Sequence, residues 1–546
     1  MRPRNAWLVL LLLTVIIRLP YLLDDRQVID ESFYSTIGIE VLDGGQPYVS
    51  AVDRKPPLLF YTYAASFGLV GKYNFIGLHV ISLLWVCATM GVLYVVARRL
   101  FDWRVGIVAA FFYSVFQPAG DYRNQAMNGE MLMNLPILLA LGLVFIPGRR
   151  KVRPELLAAG ALLAVAFLYK QPAAIAAVPM GLYLLLPSYR ASRGLHLGHS
   201  LLHGALLTIG FATALGLSMW WLHSIGILDD ALFWTTRTDF VHGPSDPIYW
   251  KRLLFYCTVS FVLPMAPLLA CAVASMGSQA RATLWREHTA EFEALVLLLA
   301  FSWVGTAASG RFASHHFIQL LPALCLLGAP VLVAVWDERL SYRFPLLRQK
   351  VLAWTLSILF VGFTIAQTIA FQVRFHGGEA PIYVRSITQA GDRIFVWGPS
   401  PDFYLDAHRG PASRYSSTFP LTGYIFGSPL NWDPTYDPSP RIHPGAWEQL
   451  ERDLEHTRPK VLVDEFTALG GGKYALAGYP YLRDLIANDY ELAREYPRAR
   501  VYVRRGATRS TKAVVVDSAL GESWAEAVGQ KGPSEISLPC AAPAGY

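Results

Sequence analysis

The chain has 546 residues, 53% of them hydrophobic and only 16% charged, with a mean hydropathy of +0.34. Soluble proteins carry about 25% charged residues, so this composition excludes an ordinary cytosolic enzyme, a disordered scaffold and a disulfide-rich secreted module, and it fits a polytopic membrane protein with a soluble appendage. The balance of 47 Lys and Arg against 40 Asp and Glu leaves a formal charge of +7; short basic loops facing an anionic cytoplasmic leaflet account for it better than a nucleic-acid partner does.

The first apolar run, Trp7 to Leu23, follows Arg2 and Arg4 and lacks a small-residue cleavage site, so it reads as a retained helix with Arg18 snorkelling near its end. Further runs cover Phe75–Ala97, Val105–Phe116, Met131–Ile146, Leu156–Leu186, Leu201–Leu222, Leu253–Met276, Phe292–Ala308, Phe317–Trp336 and Val351–Phe371. Leu156–Leu186 is too long for one pass, and Tyr169-Lys170-Gln171-Pro172 at its middle predicts a break at an interface and two short helices. The total is eleven spans. With the N-terminus in the cytoplasm, the inside segments hold seventeen basic residues against ten outside, as the positive-inside rule prefers, and the C-terminal part lies outside the cytoplasm. The five cysteines, Cys87, Cys257, Cys271, Cys325 and Cys540, form no CxxC and read as small apolar side chains.

After about residue 371 the texture changes. Asp392–Gly398, Lys460–Asp464 and Arg500–Arg504 read as strands, and Pro444–His456 and Tyr481–Asn488 as helices, which makes an extracytoplasmic α/β domain over 372–505. Residues 506–546 are Ala/Gly/Ser-rich and read as a disordered tail. Residues 1–371 form the membrane domain, and 24–57 its first outside loop.

That loop carries Asp30-Glu31 and closes with Lys55-Pro56-Pro57-Leu58. A carboxylate shielded at a bilayer interface can act as a general base, and a nearby lysine offers a compact positive charge to a phosphate. Acidic residues in a first helical turn are equally accounted for by the helix dipole. A second outside loop brings Arg123 and, at the opening of the next helix, Glu130; a third brings Arg311, His315 and His316. Adjacent histidines on a helix point in different directions and make a poor metal pair, so they read as donors to a lipid phosphate. Lys170 belongs to the same outside face. Interfacial anchoring is the plain alternative for the basic groups.

On these residues the chain resembles the GT-C glycosyltransferases, in the bacterial branch of glycosyltransferase family 39, whose relatives include protein O-mannosyltransferases and the lipid A aminoarabinose transferase. The matching features are Asp30-Glu31, Lys55-Pro56-Pro57-Leu58, Glu130 after Met127-Asn128-Gly129, and Arg311-Phe312 with His315-His316-Phe317. The resemblance implies a polytopic α-helical GT-C membrane domain in a bacterial cell membrane. It implies transfer of a sugar from a polyprenyl-phosphate carrier to a hydroxyl of a lipid, glycan or protein acceptor, with inversion. Asp30 is then the base, Glu31 and Glu130 position substrates, and Lys55, Arg123, Lys170, Arg311 and His315 face the donor phosphate. No metal or other cofactor is required, although Asp30 and Glu31 could touch a divalent ion. A lipid or sugar transporter, a GT-C glycan ligase and a non-catalytic glycan-binding protein are the competing readings. A transporter needs ionisable groups near the midplane and often paired repeats, and neither is evident.

Overall fold

The computed structural model describes residues 3–24, 28–148, 150–237, 249–308, 310–340, 362, 366, 378–425, 428–466 and 472–507. Two compact units divide the chain, 1–376 and 377–546.

The first unit is helical. In chain order it contains α1 (Pro3–Leu22), α2 (Ile29–Leu42), α3 (Pro57–Val70), α4 (Phe75–Leu100), α5 (Trp103–Phe116), α6 (Gly129–Val144), α7 (Glu155–Tyr169), α8 (Ala173–Leu185) and α9 (Pro187–Arg193). There follow α10 (Leu197–Ser224), α11 (Leu228–Leu232), α12 (Tyr249–Tyr256), α13 (Leu263–Met276), α14 (Ser278–Leu284), α15 (Thr289–Ala308) and α16 (Leu321–Trp336). A π-helical turn over Cys257–Val262 joins α12 to α13, and a 3₁₀ helix over Ser314–Leu320 leads into α16. Among the described residues six stretches are long and apolar enough to cross a membrane: Pro3–Leu22, Phe75–Leu100, Leu197–Ser224, Leu253–Met276, Thr289–Ala308 and Ser314–Trp336. Five shorter apolar helices, α3 and α5 to α8, stand among them. The expected span Val351–Phe371 lies outside the described residues except for positions 362 and 366, and the tail from 508 lies outside them altogether. The helix α3 is an addition to the expected runs: Pro57, in its first turn, starts a helix over the Leu-Leu-Phe-Tyr-Thr-Tyr stretch that follows the first loop.

Side-chain caps open α4, α5 and α6. Asn74 accepts from Gly77 N–H (2.9 Å) to open α4, Asp102 accepts from the Arg104 and Val105 amides to open α5, and Asn128 accepts from Met131 N–H (3.1 Å) to open α6. The break expected at Lys170 is present: Lys170 has extended backbone at the end of α7, and α8 begins three residues on. Arg18 corrects an expectation. It does not snorkel; it is 3% exposed beside Tyr113, Cys87 and Tyr21, and its Nε and Nη2 have no hydrogen-bond partner. The helix runs on to Leu22, so residue 18 lies a full turn inside the bundle, on the face packed against α4 and α5.

Side-chain bonds define two ends of the unit. The end of α1, the start of α4 and the start of α6 meet at one (Tyr21, His79, Met127), together with the α7–α8 break and the start of the 3₁₀ helix. The other end joins the start of α5 to the end of α16 through Arg104–Asp337 (2.6 Å) and the end of α4 to α14–α15 through Phe101 against Trp285. There too Arg193 approaches Glu291 at 3.6 Å and Arg153 donates to the carbonyls of Leu143 and Val144, closing the end of α6.

The second unit is built on a five-stranded mixed sheet, with β1 (Arg393–Trp397), β2 (Gly410–Pro411), β3 (Val461–Asp464), β4 (Tyr490–Tyr496) and β5 (Ala499–Arg504) in the order β2-β1-β3-β5-β4. β1 runs parallel to β2 and β3, and β5 antiparallel to β3 and β4. Ile394, Val396, Val461, Val463, Val501 and Val503 form its core with Val384, Phe403 and Tyr404.

Candidate active site

Asp30 and Glu31 are neighbours in the first turn of α2, and the helix turns them to different surroundings. Successive residues diverge by about 100° on a helix of 3.6 residues per turn. The Asp30 side chain is 41% exposed and lies 3.4 Å from His315 Nε2. Burial acts to raise its pKa, but His315, then Lys55, Lys170 and Arg123, outweigh it and hold the carboxyl at about 2. Four cationic or cation-capable groups from four parts of the chain therefore surround one carboxylate.

Glu31 corrects the expectation that it faces substrate. It is 0% exposed, accepts from Tyr21 Oη–H (2.7 Å) and the Met127 amide (3.0 Å), and faces His79 Nε2 at 3.4 Å. Burial raises the pKa of its carboxyl, and His79 with these hydrogen bonds brings it below the ordinary value. Glu31 is a clasp between α1, α4 and the 122–128 loop. Glu31→Gln should lower thermal stability, since each buried group left unsatisfied costs about 1–3 kcal/mol. Its effect on turnover should be smaller than that of removing Asp30. Thermal unfolding and transfer rates measured side by side check this; a fully stable but inactive variant would return Glu31 to the chemistry.

Lys55 sits in the loop before α3. Tyr48 Oη–H donates to its carbonyl (2.7 Å), Pro56 caps α3, and Gln171 Nε2 donates to the Arg54 carbonyl (2.7 Å), so the loop is tied to the α7–α8 break. The Lys55 ammonium is half-buried and has no hydrogen-bond or ion-pair partner among the described residues. Burial, then the nearby Lys170, pushes its pKa down to about 8 against the opposing Asp53.

Glu130, 1% exposed at the start of α6, is ion-paired with Lys170, while His316 Nε2 lies 3.7 Å and His315 Nε2 4.0 Å from its Oε1. Gly129 permits this pair: a Cβ there would meet Lys170 Cδ at 2.9 Å and the Tyr169 carbonyl at 3.0 Å. Arg123 is partly engaged. Its Nε and Nη2 fork onto Asp121, with Nη2 at 2.6 Å, which leaves Nη1 and a 38% exposed side chain for an anion. Arg311 precedes the 3₁₀ helix within electrostatic range of His316. The loops are cross-tied: Ser314 Oγ–H donates to Asn124 Oδ1 (2.9 Å) and Tyr63 Oη–H to the Met127 carbonyl (2.8 Å).

The histidine pair corrects a second expectation. Residues 314–320 form a 3₁₀ helix, and the two rings stand edge to face with centroids 4.5 Å apart. Glu130, His315 and His316 offer ligand atoms within 4.8 Å of one another, and Glu130 Oε2 is buried with no hydrogen-bond partner. Two neutral imidazoles and a carboxylate suit a divalent transition ion, so these three residues, and not Asp30 with Glu31, could hold one. His79 and Tyr21 were missed in the sequence. A lone histidine within the Phe75–Ala97 run was the available signal, because an ionisable group inside a span is costly unless it has a partner.

The comparisons with known proteins agree with this architecture. A family model described as dolichyl-phosphate-mannose-protein mannosyltransferase matches residues 54–220. Among solved structures, ArnT from Cupriavidus metallidurans bound to undecaprenyl phosphate aligns with a TM-score of 0.59 and 16% identity, covering 92% of this chain and 98% of that one. The same protein in its apo state gives 0.56 and 16%, over 91% and 98%. The apo oligosaccharyltransferase of Archaeoglobus fulgidus gives 0.50 and 13%, over 90% and 73%. No curated protein sequence matches. The chain has the GT-C fold, a helical membrane unit with a C-terminal sheet domain, and the resemblance read from Asp30-Glu31 and Lys55-Pro56-Pro57 extends to its three-dimensional structure.

Proposed function

We propose that this protein is a glycosyltransferase of a bacterial inner membrane. It moves a hexosyl or pentosyl group from a polyprenyl-phosphate carrier to a hydroxyl acceptor, a lipid, glycan or protein, on the extracytoplasmic side, with the N-terminus in the cytoplasm. The observation that carries the reading is the half-exposed Asp30 carboxylate among His315, Lys55, Lys170 and Arg123. The matched family model and the undecaprenyl phosphate held by a protein of the same fold support it.

In the reaction the acceptor O–H gives its proton to Asp30 as its oxygen attacks the anomeric carbon. The bond from that carbon to the phosphate oxygen breaks with inversion, and the electron pair leaves on polyprenyl phosphate. The transition state is oxocarbenium-like, and the negative charge growing on the phosphate is met by Lys55, with Arg123 and Arg311 at the rim. A carboxyl held at about 2 is a weak base. A bound anionic phosphate offsets the cations that depress it and so raises the basicity of Asp30 when the donor is present. Glu130 and Lys170 fix His315 and the wall of the cleft. A divalent ion at Glu130, His315 and His316 would add positive charge to that wall.

Purified protein given polyprenyl-phosphate sugar labelled in the sugar, with candidate acceptors, tests the reading. Label released from the carrier onto a hydroxyl acceptor is the expected result. Movement of intact donor across a vesicle membrane without release would identify a transporter.

A further inference from the structure

At the end of the bundle opposite Asp30, the turn from α13 through α14 into α15 encloses a recess of about 520 Å³. Its floor is the buried rings of Trp285 (2% exposed) and Phe292 (7%), 5.2 Å apart, with Trp285 Nε1–H donating to Ser275 Oγ (2.8 Å). Its rim is polar and exposed: Arg281, Arg286, Ser278 and Thr289. The Arg281 guanidinium lies 5.5 Å over the Phe292 ring, which holds the cation in place and leaves its N–H edges open. Among the described residues neither arginine has a carboxylate partner. Glu287 is exposed and pairs with neither, and Asp337 is held by Arg104 and Arg339. Arg98 and Arg99, exposed in the last turn of α4, reinforce the field, since the next residue but one, Phe101, packs on Trp285 at 5.0 Å.

The recess lies at membrane-surface depth. α15 starts at its edge and ends at the loop bearing Arg311; twenty residues at 1.5 Å each span about 30 Å, the thickness of the hydrocarbon layer. An aromatic floor level with the acyl boundary and two unneutralised guanidinium groups at headgroup level suit a phosphodiester bearing acyl chains. A fully soluble anion would have no use for the ring floor.

We propose that this recess binds the headgroup of an anionic phospholipid in the leaflet opposite the active site, the cytoplasmic leaflet in the orientation given above. Arg281 and Arg286 hold the phosphate, the Ser278 hydroxyl faces the glycerol, and the first acyl carbons meet only the edges of Trp285 and Phe292 that the recess leaves open. The lipid braces the α13–α15 turn. The inference rests on the membrane reading and on no step of sugar transfer, so either can fail alone.

The test uses the full chain in neutral detergent, titrated with phosphatidylglycerol, phosphatidylcholine, glycerol 3-phosphate or inorganic phosphate. Native mass spectrometry reads retained lipid, and thermal unfolding reads protection. Phosphatidylglycerol should be retained and protective in preference to phosphatidylcholine, and the soluble phosphates should do neither. R281Q/R286Q should weaken phosphatidylglycerol retention roughly 30-fold, which corresponds to about 1 kcal/mol for each arginine. R150Q/K151Q, at the same end but outside the recess, should keep it. Equal retention by R281Q/R286Q, equal loss in R150Q/K151Q, or equal protection by glycerol 3-phosphate would each overturn the proposal; the last would assign the recess to a free phosphate.

Discussion

Asp30→Asn should lower sugar transfer about 10²–10⁴-fold, the usual contribution of a positioned general base, while the protein still folds and inserts. The fold should survive because the Asp30 carboxylate is 41% exposed and, among the described residues, its ionic contact is with His315 Nε2 at 3.4 Å; the bonds that tie the loops together belong to Glu31, Asn124 and Tyr63. Asn cannot take the acceptor proton, so the loss should appear in kcat, with donor affinity equal to or tighter than wild type, since removing a negative charge strengthens the field for an anion. Donor binding measured by isothermal titration, beside the labelled-sugar assay, separates the two. Transfer at near wild-type rates would remove Asp30 from the chemistry.

Lys55→Ala should weaken transfer in the opposite manner, through the donor phosphate. A hydrogen bond to a charged group contributes about 1.5–3 kcal/mol, so kcat/KM for the donor should fall about 10- to 150-fold. The pH dependence gives a sharper signature. With its pKa pushed down to about 8, free Lys55 is a cation below that pH and neutral above it. Wild-type kcat/KM, which reports the free enzyme, should therefore hold through neutrality and decline above about pH 8. Lys55→Arg keeps its charge and should carry the plateau to higher pH. An alkaline limb unchanged in the arginine variant would place the ionisation elsewhere.

Much of the architecture is legible in the residues, for identifiable reasons. A long apolar run interrupted by Lys170-Gln171-Pro172 has to break, because a lysine is costly inside hydrocarbon and a proline cannot continue a helix; the break is present between α7 and α8. A buried strand such as Val461–Asp464, whose first three residues are Val-Leu-Val, stands out. β4 does not. Tyr490-Glu-Leu-Ala-Arg-Glu-Tyr496 is rich in helix formers and mostly exposed, and pairing with β5 overrides its local preference. In the site, residue types and their convergence on one end of the helical unit were readable, because the loops at that end concentrate polar groups. Contact was not. Which member of Asp30-Glu31 faces the cleft depends on the rotation of α2, and that rotation is set by Tyr21, His79 and the Met127 amide, from three other segments. The convergence of His315 and His316 on Glu130 likewise requires a 3₁₀ geometry that local sequence does not announce.

The Glu31 clasp has a consequence for biogenesis. Its three partners leave the ribosome at different times, Tyr21 before it, His79 and Met127 well after. Until the chain has grown past Met127, a nascent first loop carries a carboxylate whose burial is not yet compensated, and a buried unpaired charge is expensive. α2 therefore has reason to stay hydrated while α1 and α4 insert, and to settle only as the second loop arrives. The clasp cannot close before residue 127 has emerged, so a chain stalled before that point would lack the bonds that set the rotation of α2 and with it the orientation of Asp30.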